Sequence, residues 1–293
     1  MATSAVRGWR ALRVFLEMVK IEHSIFALPF AMLGMMWGAD GWPGGRVFFW
    51  IVVAMVSCRS AAMAYNRIAD REVDAMNPRT KMRALPAGLL RLSDANVFFL
   101  GSCALFFVAA WQLNPLALSL SAVALGVTLF YSITKRFTPL CHFVLGLSLG
   151  IAPAAAWIGA TGTLDPRIVW LTVAVMLWTA GFDIIYALQD EEFDRENGLR
   201  SLPQTLGKAN ALGVSRACHV AAVACLVAGG ISVAAGPFFF VGAGIAAAIL
   251  VYEQSLVRPT DLSRVNLAFF TLNGFVSIGV FAFAWIDWWV RHR

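Results

Sequence analysis

Long apolar stretches recur along the whole chain, separated by tight polar breaks and by two long polar loops. A membrane-spanning helix needs about 20 mainly apolar residues. Nine stretches approach that length: about 21–39, 47–65, 96–113, 116–134, 138–160, 167–187, 212–235, 237–257 and 265–290. Breaks such as Asn114-Pro115 and Gly236-Pro237 are short, whereas 66–95 and 188–211 are long and polar. The pattern predicts an all-α integral-membrane bundle of nine transmembrane helices, a single domain over 1–293. The basic start, Met1 to Lys20, runs directly into the first apolar stretch with no small-residue cleavage site. It reads as the approach to a first spanning helix and not as a removed signal peptide. Both long loops begin with spaced acids at a helix end and reach a Leu-Pro pair, Leu85-Pro86 and Leu202-Pro203. This echo is either coincidence or duplication. Duplication predicts two pseudo-repeated four-helix halves followed by a last helix.

Composition strengthens the membrane reading. Of 293 residues, 59% are hydrophobic and 14% charged, with a mean hydropathy of +0.72. Soluble domains carry about 45–50% apolar and about 25% charged residues. The net charge of +6 does not point to nucleic acid, because the basic residues occupy short loops between apolar stretches. The positive-inside rule explains that placement. With the N-terminus in the cytoplasm, 18 basic residues fall inside and only Arg46, Arg167, Arg291 and Arg293 outside, with Arg59 inside a span. Trp37, Trp42, Trp50, Trp111, Trp157, Trp170, Trp285, Trp288 and Trp289 then all lie near outer helix ends. That is where an indole sits half in lipid and half in water. The expected location is a multi-pass protein of a bacterial inner (cytoplasmic) membrane, with its chemistry on the cytoplasmic face. Cys58, Cys103, Cys141, Cys218 and Cys225 show no metal spacing and read as small buried thiols.

The first polar loop opens with Asn66, Asp70 and Asp74, spaced i, i+4, i+8. On a helix these share a face, each turn displaced by about 40°. Oxygen-bearing side chains in such a row suit a hard cation such as Mg²⁺, which is held by a few carboxylates, waters and phosphate oxygens. Bare carboxylates repel a diphosphate; a bound metal reverses the sign and stabilises the leaving group. Arg67, Arg71, Arg79, Lys81 and Arg83 are interleaved with the acids and can approach phosphate oxygens. The competing reading of this segment alone is a solvated helix end with its charges paired along the helix.

A second motif changes that balance. Asp190 and Asp194 repeat the i, i+4 spacing at the end of another span. Asp183 lies seven residues earlier, about two turns deeper toward the membrane. A carboxylate inside a span is a functional candidate by default. Asp183 either meets an acceptor or caps a polar network, and Tyr186 and Gln189 offer further polar contacts. Two acid clusters at the inner ends of two helices form a two-sided magnesium clamp for one diphosphate. Ionisation of its C–O bond leaves an allylic cation, open to attack by an electron-rich partner. Asp70, Asp74, Asp190 and Asp194 are the candidate catalytic and metal-binding residues, with Asn66 assisting at the metal. His142 and His219 read as packing residues.

These residues resemble the UbiA superfamily of intramembrane prenyltransferases. The resemblance covers almost the whole chain. The first motif matches the family pattern as Asn66-Arg67-x-x-Asp70-x-x-x-Asp74 and the second as Asp190-x-x-x-Asp194; Tyr131-x-x-x-Lys135-Arg136 resembles a third. The resemblance implies a nine-helix bundle with a central cavity, a polyprenyl diphosphate substrate and Mg²⁺ as cofactor. It assigns Lys135 first to the diphosphate, with Arg136, Lys20, Arg67, Arg79, Lys81 and Arg83 also available. Arg67 stands where many members carry Asp, which implies a less acidic first metal site. The branch that looks most similar prenylates aromatic acids of the 4-hydroxybenzoate type in ubiquinone or menaquinone synthesis. The segment Lys20-x-Glu22-His23-Ser24-x-Phe26-Ala27-Leu28-Pro29-Phe30 looks like a sub-branch of it, some of whose members are assigned a dihydroxynaphthoate acceptor. His23, Ser24, Tyr131, Asp183 and Tyr186 are the expected acceptor-side residues; for His23 an interfacial polar role is the alternative. The expected partners are the two substrates and the lipid bilayer, with no nucleic acid and no obligatory protein partner. Another prenyl acceptor, 1,4-dihydroxy-6-naphthoate among them, is the alternative within enzymes. A membrane transporter with buried acids is the distant one. The D-x-x-D-G-x-x-A-R signature of enzymes that transfer CDP-linked phosphoalcohols does not occur.

Overall fold

The apolar runs fold as helices throughout the residues that the computed structural model describes, Val14 and 24–293. In chain order these are α1 (Ser24–Ala39), α2 (Gly45–Ala69), α3 (Arg71–Met76), α4 (Leu92–Leu113), α5 (Pro115–Thr134) and α6 (Cys141–Thr161). They are followed by α7 (Ile168–Ala187), α8 (Glu191–Glu196), α9 (Leu202–Ser232), α10 (Pro237–Leu256) and α11 (Asn273–Arg291). A short 3₁₀ turn, Leu188–Asp190, joins α7 to α8, and a π-helical turn, Leu267–Leu272, leads into α11. Among the described residues, eight helical segments are long and apolar enough to cross a membrane, and Phe26–Ala39 is a shorter apolar helix. The only strand-like pairing there is an isolated bridge between Arg258 and Asp261.

Most helix bounds fall within a few residues of the expected spans, and two departures matter for the site. α2 runs on to Ala69, past the expected end near 65, so Asn66 and Arg67 sit on the helix itself. α9 begins at Leu202, ten residues before the expected 212. Ser201 caps it, its side-chain oxygen accepting the Gln204 N–H at 3.4 Å, and Pro203 occupies the first turn, where its missing N–H is no loss. Gly207 then bends the helix with φ 77° and ψ 160°, a conformation open only to glycine. Segment 188–211, expected as a loop, is thus largely helical turns.

Sequential helices pack on one another, and α1 lies against both α6 and α11. α6 approaches α7 closely because it carries Gly146-x-x-x-Gly150: a Cβ at Gly146 would lie 2.3 Å from the Met176 carbonyl oxygen, and one at Gly150 2.6 Å from that of Thr172. The main core joins Phe26, Phe30, Leu33, Leu171, Trp178 and Phe239. The cysteines are free thiols, but only Cys141 and Cys218 are buried; Cys58, Cys103 and Cys225 are half-buried, because their helix faces turn partly outward. Val97, Leu100, Val123, Val220, Val251 and Phe275 point outward and exposed. So much outward apolar surface suits hydrocarbon rather than water, and the helical backbone meets its own hydrogen bonds there.

The two ends of the bundle differ. At one end Arg46 donates to Gln112, Asn114 to the Ile158 carbonyl (2.8 Å) and Trp288 to the Asp40 carbonyl (3.1 Å). Buried Asp287 caps the start of α10 by accepting the Gly236 N–H at 2.7 Å. The opposite end carries both acid motifs. The π turn beside it is pinned by Asn273, which donates to the Ala268 carbonyl (3.0 Å) and to Glu253 (3.3 Å) and accepts from the Trp178 indole (2.6 Å).

Candidate active site

The first acid row survives a change of helix. Asp70 is the C-cap of α2 and the N-cap of α3, with φ −94° and ψ 9°. Its N–H still donates to the Asn66 carbonyl at 2.9 Å, and the Asp74 N–H to the Asp70 carbonyl at 2.7 Å. The one-turn spacing therefore continues through the junction. Asn66 donates its amide to Asp70 Oδ2 at 2.8 Å and accepts from Arg67 at 2.9 Å. Asp74 is buried and receives Arg83 on both oxygens, at 2.7 and 2.8 Å.

The loop after α3 reaches across to the second motif. Arg79 Nε donates to Asp190 Oδ1 at 3.0 Å and Arg79 Nη2 donates to Asp190 Oδ2, a two-pronged contact that suits the planar guanidinium. The Asn77 amide adds a contact to Asp190 Oδ1 at 3.3 Å. Arg79 also donates to the Tyr186 hydroxyl at 2.9 Å, with its guanidinium carbon 5.2 Å from the centre of that ring. Lys81 is exposed on the same loop.

The end of α5 ties the two motifs together. Lys135 Nζ lies 2.7 Å from Asp194 Oδ1, while Arg136 donates to the Ala69 carbonyl and lies 3.4 Å from Asp70 Oδ1. Asp194 is fully buried on α8, and its other oxygen accepts the Ser201 hydroxyl at 2.9 Å. One serine thus caps α9 and holds an acid of the second motif. Each of the four expected catalytic carboxylates has a basic partner: Asp70 with Arg136, Asp74 with Arg83, Asp190 with Arg79, Asp194 with Lys135. Burial pushes the Asp70 carboxyl above its ordinary value; the Asp74 charge adds to this and Arg136 opposes it. Burial would lower the Arg79 guanidinium, but its contact with Asp190 more than offsets that and holds it above its ordinary value.

The donor set fits a hard cation, since the acids and Asn66 offer only oxygen ligands. In the described residues no three acidic, histidine or cysteine side chains converge on one point. Each carboxylate instead faces a basic partner, and those partners are groups suited to phosphate oxygens.

Tyr131 lies within electrostatic reach of Asp183, Asp70 and Arg67. Tyr186 packs against Phe269 at a tilt of 34°, ring centres 4.2 Å apart, so an aromatic wall of Tyr186, Phe269, Phe182 and Phe26 runs from Arg79 into the core. Asp183 does enter a polar network: its Oδ2 lies 2.7 Å from His142 Nδ1. His142, expected to be a packing residue, is instead bonded at both ring nitrogens, its Nε2 accepting the Leu202 N–H at 3.3 Å. His219, also expected to be a packing residue, meets Gln254 through its Nδ1 at 3.1 Å. A histidine in an apolar run carries no local sign of a partner, and the 41 residues from His142 to Asp183 hide this one. Lys20, His23 and the side chain of Ser24 lie outside the described residues.

A sequence model of the UbiA prenyltransferase family matches residues 27–278. The chain is 31% identical over 290 residues to a 4-hydroxybenzoate octaprenyltransferase of Vibrio atlanticus, across 99% of this chain and 100% of that protein. The solved structure of a UbiA homolog from Aeropyrum pernix K1 superposes with a TM-score of 0.80 at 33% identity, over 93% of this chain and 99% of that one. A UbiA homolog from Archaeoglobus fulgidus bound to DMAPP and Mg²⁺ shares the fold, with a TM-score of 0.73 at 19% identity over 94% and 99% of the two chains.

Proposed function

The chain belongs to the UbiA prenyltransferase family, and from that premise we propose that it transfers a polyprenyl group from its diphosphate to a ring carbon of 4-hydroxybenzoate. The observation that carries this reading is the meeting of two acid motifs at one end of the bundle, cross-linked by Arg79, Lys135 and Arg136. The similarity to a 4-hydroxybenzoate octaprenyltransferase supports the choice of acceptor. Asn66, Asp70 and Asp74 would hold Mg²⁺ on one side and Asp190 and Asp194 on the other. Bound there, the metal neutralises the diphosphate and stabilises it as a leaving group.

The protein's own groups do the rest. Arg79, Arg83, Lys135 and Arg136 exchange their carboxylate partners for phosphate oxygens, and Arg67 adds charge from α2. Lys81 is within the same loop as Arg79. The aromatic wall from Tyr186 to Phe26 offers π faces to an allylic cation and keeps water from it. Arg59, two turns before Asn66 on the same face of α2, sits inside a span, where a charge is costly and marks function. It is suited to the carboxylate of the acceptor. The basic residues collect at the motif end of the bundle, so that end faces the cytoplasm of an inner membrane by the positive-inside rule.

The test is a prenyl-transfer assay in detergent with Mg²⁺ and geranyl or longer diphosphate, offering 4-hydroxybenzoate and 1,4-dihydroxy-6-naphthoate side by side. Prenylated 4-hydroxybenzoate, lost on adding EDTA, is the expected result. Product from the naphthoate alone would move the acceptor, and no metal-dependent product from either would overturn the reading.

A further inference from the structure

We infer that Asp183, held by His142, is the base that takes the ring proton released when the acceptor is prenylated. This rests on the reaction proposed above. His142 Nε2 accepts the Leu202 N–H, so its proton sits on Nδ1 and is donated to Asp183 Oδ2. The backbone of α9 thereby fixes the tautomer of a neutral imidazole, and the imidazole fixes one oxygen of the carboxylate. The His142 side chain is 2% exposed and that of Asp183 17%, so the acid keeps open surface while its holder is sealed. Asp183 and Asp70 both act electrostatically on the phenol of Tyr131 on α5, so the two acids lie around one side chain. Along α7, Asp183 is seven residues before Asp190, about 10 Å deeper in the bundle. A ring seated two turns below the diphosphate would meet it there. A carboxylate inside a span is a functional candidate by default.

The step balances. The C–O bond of the allylic diphosphate breaks and its electron pair leaves with diphosphate. A π pair of the ring forms the new C–C bond. The C–H pair at that carbon then restores aromaticity, and its proton passes to Asp183, which later releases it to water. His142 is a positioning residue.

The test uses the full chain in detergent with Mg²⁺, geranyl diphosphate, and 4-hydroxybenzoate carrying either hydrogen or deuterium at the ring positions beside the hydroxyl. Asp183→Asn keeps the shape and loses the base. It should lower kcat by about 100-fold or more, leave KM for geranyl diphosphate unchanged, and reveal a primary isotope effect that the unaltered protein lacks. His142→Gln retains a donor to Asp183 and should keep most of the turnover, whereas His142→Leu should lose turnover and show the isotope effect. Retained kcat in Asp183→Asn, or loss without an isotope effect, would overturn the inference. If Asp183→Asn does not fold, the same isotope comparison between the two His142 variants decides it. Failure of the unaltered protein to prenylate the acid would instead sink the reaction reading, and the inference with it.

Discussion

At the scale of single residues, the site is a set of charges that cannot all be removed independently. Asp194 is wholly enclosed, and Lys135 is its only basic partner among the described residues. Lys135→Met leaves that carboxylate buried without a counter-charge, at a cost of about 2–3 kcal/mol given that the lysine is partly open to solvent. Thermal melting in detergent should show the loss, and adding Asp194→Asn should recover most of it without restoring turnover. Recovery of turnover in the double variant would mean that the pair is structural only. Arg59 makes a separate prediction. Arg59→Gln should raise KM for 4-hydroxybenzoate about tenfold or more, the loss of a charge-assisted contact of about 1.5 kcal/mol or greater, while KM for the prenyl diphosphate stays put. An unchanged acceptor KM would remove Arg59 from that role.

At the scale of elements, the legible and hidden parts of the site separate cleanly. The rows Asn66–Asp70–Asp74 and Asp190–Asp194 are readable because helical spacing puts i and i+4 on one face, and this holds even across the junction at Asp70. The pairing of Arg79 with Asp190, 111 residues apart, and of His142 with Asp183 depends on which helices meet, and no local pattern reports that. The early start of α9 escapes the hydropathy pattern because Gly207 and the polar residues before 212 read as loop, while Ser201 and Pro203 in fact open a helix. The contact of α6 with α7 rests on Gly146 and Gly150, and these two helices carry His142 and Asp183. Gly146→Ala forces a methyl group against the Met176 carbonyl, which the helices relieve only by separating. It should cost about 1–3 kcal/mol by thermal melting and reduce turnover as the His142–Asp183 distance grows. Unchanged stability and turnover would show that the interface gives way without consequence.

At the scale of the whole molecule, the bundle divides labour between its ends. One end is closed by short connections, the Trp288 indole hydrogen bond and the Asp287 cap. The other holds the loop after α3, the short helix α8, the acids and their basic partners. Between them, outward apolar side chains meet lipid and an inward aromatic wall leads down from Arg79. The all-helical class and the membrane setting follow from hydropathy alone, because span length is set by bilayer thickness. The central claim is that the two acid motifs act together on one diphosphate. The most direct measurement is turnover of Asp70→Ala and Asp190→Ala, each with 4-hydroxybenzoate, geranyl diphosphate and Mg²⁺, alongside thermal melting to show that each variant is folded. The account predicts folded proteins with prenyl transfer abolished in both. Near-normal turnover in both folded variants would contradict it.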